Sequence, residues 1–487
     1  MSGSAIIAPR HSGRWTALSL IVAAQFMVVL DMSIVNVALA TIKGELGFSE
    51  AGLQWVISAY AIVFGGFLLL GGRLADVLGR RRVFVAGIAL FTFGSILCGL
   101  AWSAGSLVAF RGLQGLGGAL FAPAGLSLLM TTFQEGRARN TALGIWGAAS
   151  GAGGAVGVLL GGVLTSYLSW PWIFYMNVPI GLALVVLVPR FLAESRGLLA
   201  QRHFDVAGAV SITSSLIVLV YALTRATQDG WGSAETIGLL SAAAVLAAAF
   251  VAIERRAASP LLPFEVFRGT TLGTATLITV IVSSVGFSQF FLLTLYLQQV
   301  LHYSAARTGL AFVAIAVTVA VTSNVAQRLV TRLGPRRVLA VGMLCAAVAE
   351  GLLTRLPVHG RYTTDLLPSF ILIGAGIGIS FVSVTIAALA GVPGRDAGVA
   401  SGFVNTARQV GGAVGLAGVT TIATIYASHR SVGESVAGGT THGFRIAFAT
   451  LGVLSLGGAL LTATMRVRRP ADAVADRAQD ETLAEAA

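Results

Sequence analysis

Gly72-Arg73-Leu74-Ala75-Asp76-Val77-Leu78-Gly79-Arg80-Arg81-Arg82-Val83 lies without a gap on Gln327-Arg328-Leu329-Val330-Thr331-Arg332-Leu333-Gly334-Pro335-Arg336-Arg337-Val338. Each copy follows one apolar run and precedes another. A second match stands in the same order: Gly136-Arg137 and Gly153-Gly154-Ala155-Val156-Gly157 correspond to Gly394-Arg395 and Gly411-Gly412-Ala413-Val414-Gly415. Glycine-rich helices can imitate one another by chance. Two ordered matches at nearly one offset, about 255 to 258 residues, read instead as an internal repeat.

Composition tells what is repeated. Of 487 residues, 56% are hydrophobic and 11% charged, and the mean hydropathy is +0.85. A soluble domain of this length needs far more charge to cover its surface. Apolar runs long enough to cross about 30 Å of hydrocarbon fall near 16–39, 52–72, 83–102, 106–130, 140–164, 171–192, 205–224, 235–253, 271–298, 308–328, 337–356, 365–391, 397–426 and 443–465. The first run follows Arg10 and Arg14 and has no small-residue cleavage site, so it reads as a span. The repeat offset covers eight spans. An all-α polytopic membrane protein is therefore expected, with two six-helix pseudo-repeated bundles and two inserted helices (6+2+6). The expected divisions are a tail 1–15, a first bundle 16–195, an insertion 205–254, a second bundle 271–466 and a tail 467–487.

Charge sets the orientation. If the N-terminus is cytoplasmic, the inward loops hold Arg80, Arg81, Arg82, Arg137, Arg139, Arg190, Arg196, Arg202, Arg255, Arg256, Arg268, Arg332, Arg336, Arg337 and Arg395. The tails add Arg10, Arg14, Arg466, Arg468, Arg469 and Arg477, while the outward loops hold Lys43, Arg225, Arg307, Arg355, Arg361, Arg430 and Arg445. That bias predicts an even number of spans with both termini inside a bacterial inner membrane. The net charge of +12 thus has a topological meaning and does not point to nucleic acid.

Several ordered motifs together resemble the major facilitator superfamily, specifically its fourteen-span drug/proton antiporters. They are Leu30-Asp31-Met32-Ser33-Ile34-Val35-Asn36-Val37-Ala38-Leu39, the loop Gly72 to Arg82, Arg111-Gly112-Leu113-Gln114-Gly115, and the fifth-span glycines Gly144, Gly153, Gly157, Gly161 and Gly162. Trp170-Pro171-Trp172-Ile173-Phe174-Tyr175-Met176-Asn177-Val178-Pro179-Ile180-Gly181 is similar to the start of the family's sixth helix. Two positions depart from the pattern: Val158 stands where the family has Pro, and Pro171 where it has Arg. The resemblance implies proton-coupled export of drugs, antibiotics or metabolites. By resemblance, Arg111 assists protonation and release at the first-helix acid.

Physical reading of the residues adds roles. A carboxylate inside a span is costly and by default functional and partnered, which singles out Asp31 for proton coupling. A guanidinium brought to Asp31 would stabilise the carboxylate and expel its proton, and Arg111 is the matching cation. Gly72, Asp76, Gly79 and Arg80 read as a conformational gate, with Asp76 placed at the start of the eleventh helix beside Arg336 or Arg337. The fifth-span glycines read as a packing surface. Gln25, Phe26, Asn36, Trp146, Phe287, Gln289, Phe290, Phe381, Asn405 and Arg408 are candidates for a substrate cavity. For Arg408 two roles stay open, attraction of acidic or phenolic substrates and pairing with Glu350.

Other classes fit less well. The only lysine, Lys43, has no phosphate-binding loop around it, no His/Glu metal spacing occurs, and Cys98 and Cys345 read as buried thiols. No enzyme, cofactor or metal site is expected. The expected partners are a small-molecule substrate, protons and the lipid bilayer, with a monomeric chain. An importer on the same architecture and a non-transporting sensor remain the alternatives.

Overall fold

The computed structural model describes residues 11–48, 50–53, 55–134, 136–195, 205–257, 271–392, 397–428 and 436–465. Among the described residues fourteen long helices follow one another. They are α1 (His11–Leu46), α2 (Trp55–Leu78), α3 (Arg80–Gly99), α4 (Ala104–Thr132), α5 (Arg137–Tyr167), α6 (Asn177–Phe191), α7 (Val206–Asp229) and α8 (Ala234–Glu254). The second series is α9 (Leu272–Leu295), α10 (Ala305–Leu333), α11 (Pro335–Leu353), α12 (Leu367–Leu389), α13 (Ala397–Ser428) and α14 (Val436–Leu461). A one-turn helix, Trp172–Tyr175, leads into α6, and a π-helical turn, Tyr296–Val300, extends α9. Most of the two expected tails, and Arg10, Arg196, Arg202, Arg268, Arg395, Arg430, Arg466, Arg468, Arg469 and Arg477, lie outside the described residues.

Apolar runs locate each helix to within a few residues, except that α1 continues past Leu39 to Leu46 and α14 begins at Val436. The runs measure the hydrocarbon crossing, whereas a helix can continue through the interfacial layers. Thirteen described helices are long and apolar enough to cross a membrane. The remaining one, α11, has 19 residues and carries Arg336, Arg337 and Glu350. Polar side chains begin several helices: Ser103 caps α4 through Ser106 N, and Asp205 caps α7 through Gly208 N.

Successive helices alternate in direction. The start of α1 therefore shares one end of the bundle with Arg80–Arg82, Arg137, Arg255, Arg256, Arg332, Arg336 and Arg337. We call this the arginine-rich end. Both copies of the repeated loop turn there through a glycine at positive φ, Gly79 at 112° and Gly334 at 82°. A side chain is strained in that conformation, which explains the glycine common to both copies.

Helix pairings also recur. α1 packs on α5 and α6, α2 on α4, and α3 on α4 and α6; eight helices later α9 packs on α13 and α14, α10 on α12, and α11 on α12 and α14. Contacts between the two series come in matched pairs as well, α2 with α13 and α5 with α10, then α4 with α13 and α5 with α12. This is the pattern a repeat related by a pseudo-two-fold axis generates. α7 and α8 pack together, and α7 lies along both α2 and α13.

Glycines set the closest approaches. A Cβ at Gly157 would meet Leu30 O at 2.7 Å, and one at Gly161 would meet Ile34 O at 2.8 Å, so α5 lies almost backbone-to-backbone on α1. Gly415 repeats this on α9, where a Cβ would lie 2.5 Å from Ser284 Cα. Gly153 faces α1, and Gly162 is buried. Gly144 belongs to another face: its Cβ would meet Gln327 of α10. Nine residues separate Gly144 from Gly153, two and a half turns, which puts them on opposite sides of the helix. α5 runs unbroken through Val158, which is buried with side chains of α9, α10 and α12.

Gly157→Ala is expected to lower the apparent melting temperature of the detergent-purified protein, with a loss on the order of 1–3 kcal/mol from overpacking. Gly351→Ala, where a Cβ meets nothing within 4 Å, should leave it unchanged.

Candidate functional site

Asp31 is completely buried, at 0% exposure, and its carboxylate is fully engaged. Oδ2 accepts from Arg111 at 2.7 Å, while Oδ1 accepts from Gln114 Nε2 at 2.8 Å and Asn177 Nδ2 at 2.9 Å. Arg111 is as deeply placed. It donates from Nε to Val56 O at 3.0 Å and to Gln114 Oε1 at 2.5 Å, with Tyr60 and Phe174 presenting ring faces at 4.4 and 5.7 Å. Gln114 also donates to Ser95 Oγ at 2.8 Å. The cluster thus ties α1, α2, α3, α4 and α6 together around one ion pair. Arg111 and Gln114 share a face of α4 because they are three residues apart. Such a cluster can hold a carboxylate inside a membrane because every oxygen is hydrogen-bonded and the charge is neutralised.

Sequence reasoning selected Asp31 and Arg111 but passed over Gln114 and Asn177. Both stood inside the motifs already quoted, and the signal was an amide in an otherwise apolar run.

The second polar site lies at the arginine-rich end, where α2 meets α13. Arg80 donates from Nε and a terminal nitrogen to Asp76 Oδ1, at 3.0 and 2.7 Å, and Val399 N donates to Asp76 Oδ2 at 3.1 Å. Asp76 thereby caps the N-terminus of α13, where partial positive charge favours a carboxylate. A Cβ at Gly72 would strike Gly398 O at 2.5 Å, so that glycine lets α2 reach α13. Gly79 leaves room for Glu194, whose carboxylate accepts from Arg81 N and Arg82 N at the start of α3.

The expected contact with the eleventh helix is not formed; Arg336 and Arg337 are exposed, and the helix that Asp76 caps is α13. The physical reason is the eight-helix offset. α13 repeats α5 and lies at the junction of the two series, whereas α11 repeats α3 and lies to its side.

A third group sits deeper. Arg408 of α13 lies 4.7 Å from the Trp146 ring of α5 and 5.4 Å from the Phe381 ring of α12, and it donates to Thr385 Oγ1. Its pairing with Glu350 is not formed; Glu350 is buried on α11 and neither carboxyl oxygen has a hydrogen-bond partner among the described residues. Gln25 bonds Ser150 at 3.1 Å, one turn beyond Trp146, and Asn405 Nδ2 turns back onto Ser401 O.

The other cavity candidates disperse. Phe290 packs at a tilt against Phe312 in the apolar core, Gln289 is buried, and Phe287 lies over Gly412. Asn36 is exposed and bonds its own helix at Met32 O. Phe26 lines a separate apolar hollow of about 590 Å³ with Trp15, Leu18, Ile145 and Ile180. Trp170 is buried and donates to Glu45 at 2.8 Å.

Residues 21–416 match the model of the Major Facilitator Superfamily. The chain is 42% identical over 452 residues to the puromycin resistance protein pur8 of Streptomyces alboniger, covering 91% of this chain and 90% of that one. It is 40% identical to the cephamycin export protein CmcT of Amycolatopsis lactamdurans, with 84% of each covered. It is 37% identical to the multidrug resistance protein Stp of Mycobacterium tuberculosis, covering 80% of this chain and 72% of that one. In fold it is similar to the crystal structure of the human organic anion transporter MFSD10 (TETRAN), with a TM-score of 0.64, 13% identity, and coverage of 92% and 99%. At that identity the likeness concerns the fold alone.

Arg111→Gln leaves Asp31 buried without its cation and should destabilise the protein by about 3–5 kcal/mol. Adding Asp31→Asn should restore much of that loss. Thermal unfolding of the two single variants and the double variant measures the coupling, and additive losses would show the pair to be energetically unimportant.

Proposed function

This chain belongs to the major facilitator superfamily, and on that premise we propose that it exports small organic compounds in exchange for protons by alternating access. The observation that carries the proton role is the buried pair of Asp31 and Arg111. The export role is supported by full-length relatives named for antibiotic resistance and export.

The proposed cycle follows from charge. With Asp31 ionised, the carboxylate holds Arg111, Gln114 and Asn177 and keeps five helices together. A proton arriving at Asp31 removes the negative charge, and Arg111 loses its counter-ion. The neutral acid holds Arg111 less strongly, so the helices around the pair are released to repack. Release of the proton on the other side restores the pair. Each net charge carried across the membrane contributes roughly 2.3 kcal/mol per 100 mV, so one proton entering as a neutral or anionic compound leaves would draw on the membrane potential.

Movement would occur between two six-helix halves, α1–α6 and α9–α14, with α7 and α8 as the insertion. The recurrence of helix pairings at an offset of eight supports this division. The arginine bias supports a cytoplasmic position for the arginine-rich end, and with it for both termini, in a bacterial cell. On that reading, the contact of Asp76 with α13 is a latch that seals the cytoplasmic side. The glycine faces of α5 on α1 and α13 on α9 let each half move without prying apart bulky side chains. The chain would act as a monomer, because both halves and the path between them lie within it.

Two outcomes are expected in cells lacking their own exporters. The wild-type chain should lower accumulation of a transported antibiotic or dye, and an uncoupler should abolish the effect. Asp31→Asn should lose uphill export while still allowing exchange down a gradient in proteoliposomes; full uphill export by this variant would refute the coupling. Asp76→Asn should reduce transport several-fold, and unchanged transport would refute the latch.

A further inference from the structure

We propose that Arg408, with Trp146 and Phe381, forms the recognition site for the anionic group of a planar aromatic substrate. This inference rests on the export reading and narrows it to a substrate class.

Comparison of the two intramembrane arginines carries the argument. Arg111 lies against two aromatic faces, Tyr60 and Phe174, and its charge is completed by Asp31. Arg408 lies against two aromatic faces, Trp146 and Phe381, with only the Thr385 hydroxyl as acceptor among the described residues. It is 6% exposed, its Nε has no hydrogen-bond partner, and no carboxylate pairs with it among the described residues. The shell of Arg408 therefore resembles that of Arg111 with the anion removed. A buried, uncompensated cation is costly, and ring faces offset only part of that cost.

Position favours a transported anion. Arg408 is eleven residues into α13 and Trp146 nine into α5, so both lie about 14–17 Å from the arginine-rich end at 1.5 Å per residue. That is near mid-depth, beyond easy reach of a lipid headgroup. Trp146 belongs to the first helix series and Arg408 to the second, so a ligand bound to this group would touch both. A guanidinium offers a carboxylate two parallel N–H donors, while indole and phenyl faces accept a flat ring. Gln25, bonded to Ser150 one turn from Trp146, and Asn405, one turn from Arg408, supply neutral polar groups nearby.

Quenching of tryptophan fluorescence in the full-length, detergent-purified chain would test this, with naphthalene-2-carboxylate and its methyl ester as a matched pair. The wild type is expected to bind the carboxylate at least tenfold more tightly than the ester. That preference should fall below twofold in Arg408→Gln and be partly kept in Arg408→Lys. Inorganic phosphate at equal concentration should compete poorly. Equal binding of acid and ester by the wild type, a preference unchanged in Arg408→Gln, or full competition by phosphate would each overturn the proposal. The wild-type measurement does not depend on whether a variant folds. A separate failure, reconstituted protein that moves no compound under an imposed proton gradient, would refute the export reading and leave the carboxylate preference intact.

Discussion

A carboxylate shielded from water must find its counter-charge within the protein, and Asp31 finds it in Arg111 at 2.7 Å. Much of the first helix series is arranged to make this possible. Gln114 and Asn177 occupy the second carboxylate oxygen, Val56 O takes the guanidinium Nε, and Ser95 steadies Gln114. Five helices contribute, so the pair is also a fastener. On the proposed cycle, the feature that makes it costly to assemble is also the one a proton would undo, because one added proton removes the charge that the surrounding donors are arranged to meet.

The internal repeat keeps the frame and discards this chemistry. Gly115 and Gly117 of α4 lie against Tyr60 O and Phe91 N, as Gly374 and Gly376 of α12 lie against Ile315 O and Ala346 N. That correspondence sets Phe370 opposite Arg111 and Ile373 opposite Gln114. In the second series, the corresponding place is filled by stacked rings, with Phe370 on Phe312 at 5.6 Å. The cation of that series is instead on α13, at Arg408, where the first series has Ser150. One series thus carries a buried ion pair, and the other presents, at the junction, an arginine with no carboxylate partner among the described residues. The inserted α7 and α8 lie beside α2 and α13, and their Ala209 and Phe250 pack with Val399, the residue whose amide meets Asp76. Their position therefore places them against the Asp76–α13 contact at the arginine-rich end.

Much of this was legible in the chain. Apolar run lengths located all fourteen helices, because hydrocarbon thickness imposes a length that composition cannot hide. The repeated loop revealed the offset of eight, and a lone acid in an apolar span disclosed Asp31 on solvation grounds. What failed was tertiary: the partner of Asp76 depends on which helix crosses α2, and no local pattern encodes that. Gly144 was grouped with glycines on the opposite face because spacing was read as a motif and not as an angle around the helix. Gln114 and Asn177 were missed because amides cost less to bury than charges and stand out less. Aromatic cavity residues dispersed for a similar reason, since a phenylalanine carries no mark of whether it faces core, lipid or ligand.

The central claim is that Asp31 carries the coupled proton. Its most direct test is proton release from purified protein in lightly buffered detergent when a compound it extrudes is added. The account predicts release of about one proton per molecule bound at a pH where the compound binds, and none from Asp31→Asn with compound binding preserved. Equal release from Asp31→Asn, or no release from the wild type at any pH where it binds the compound, would contradict it.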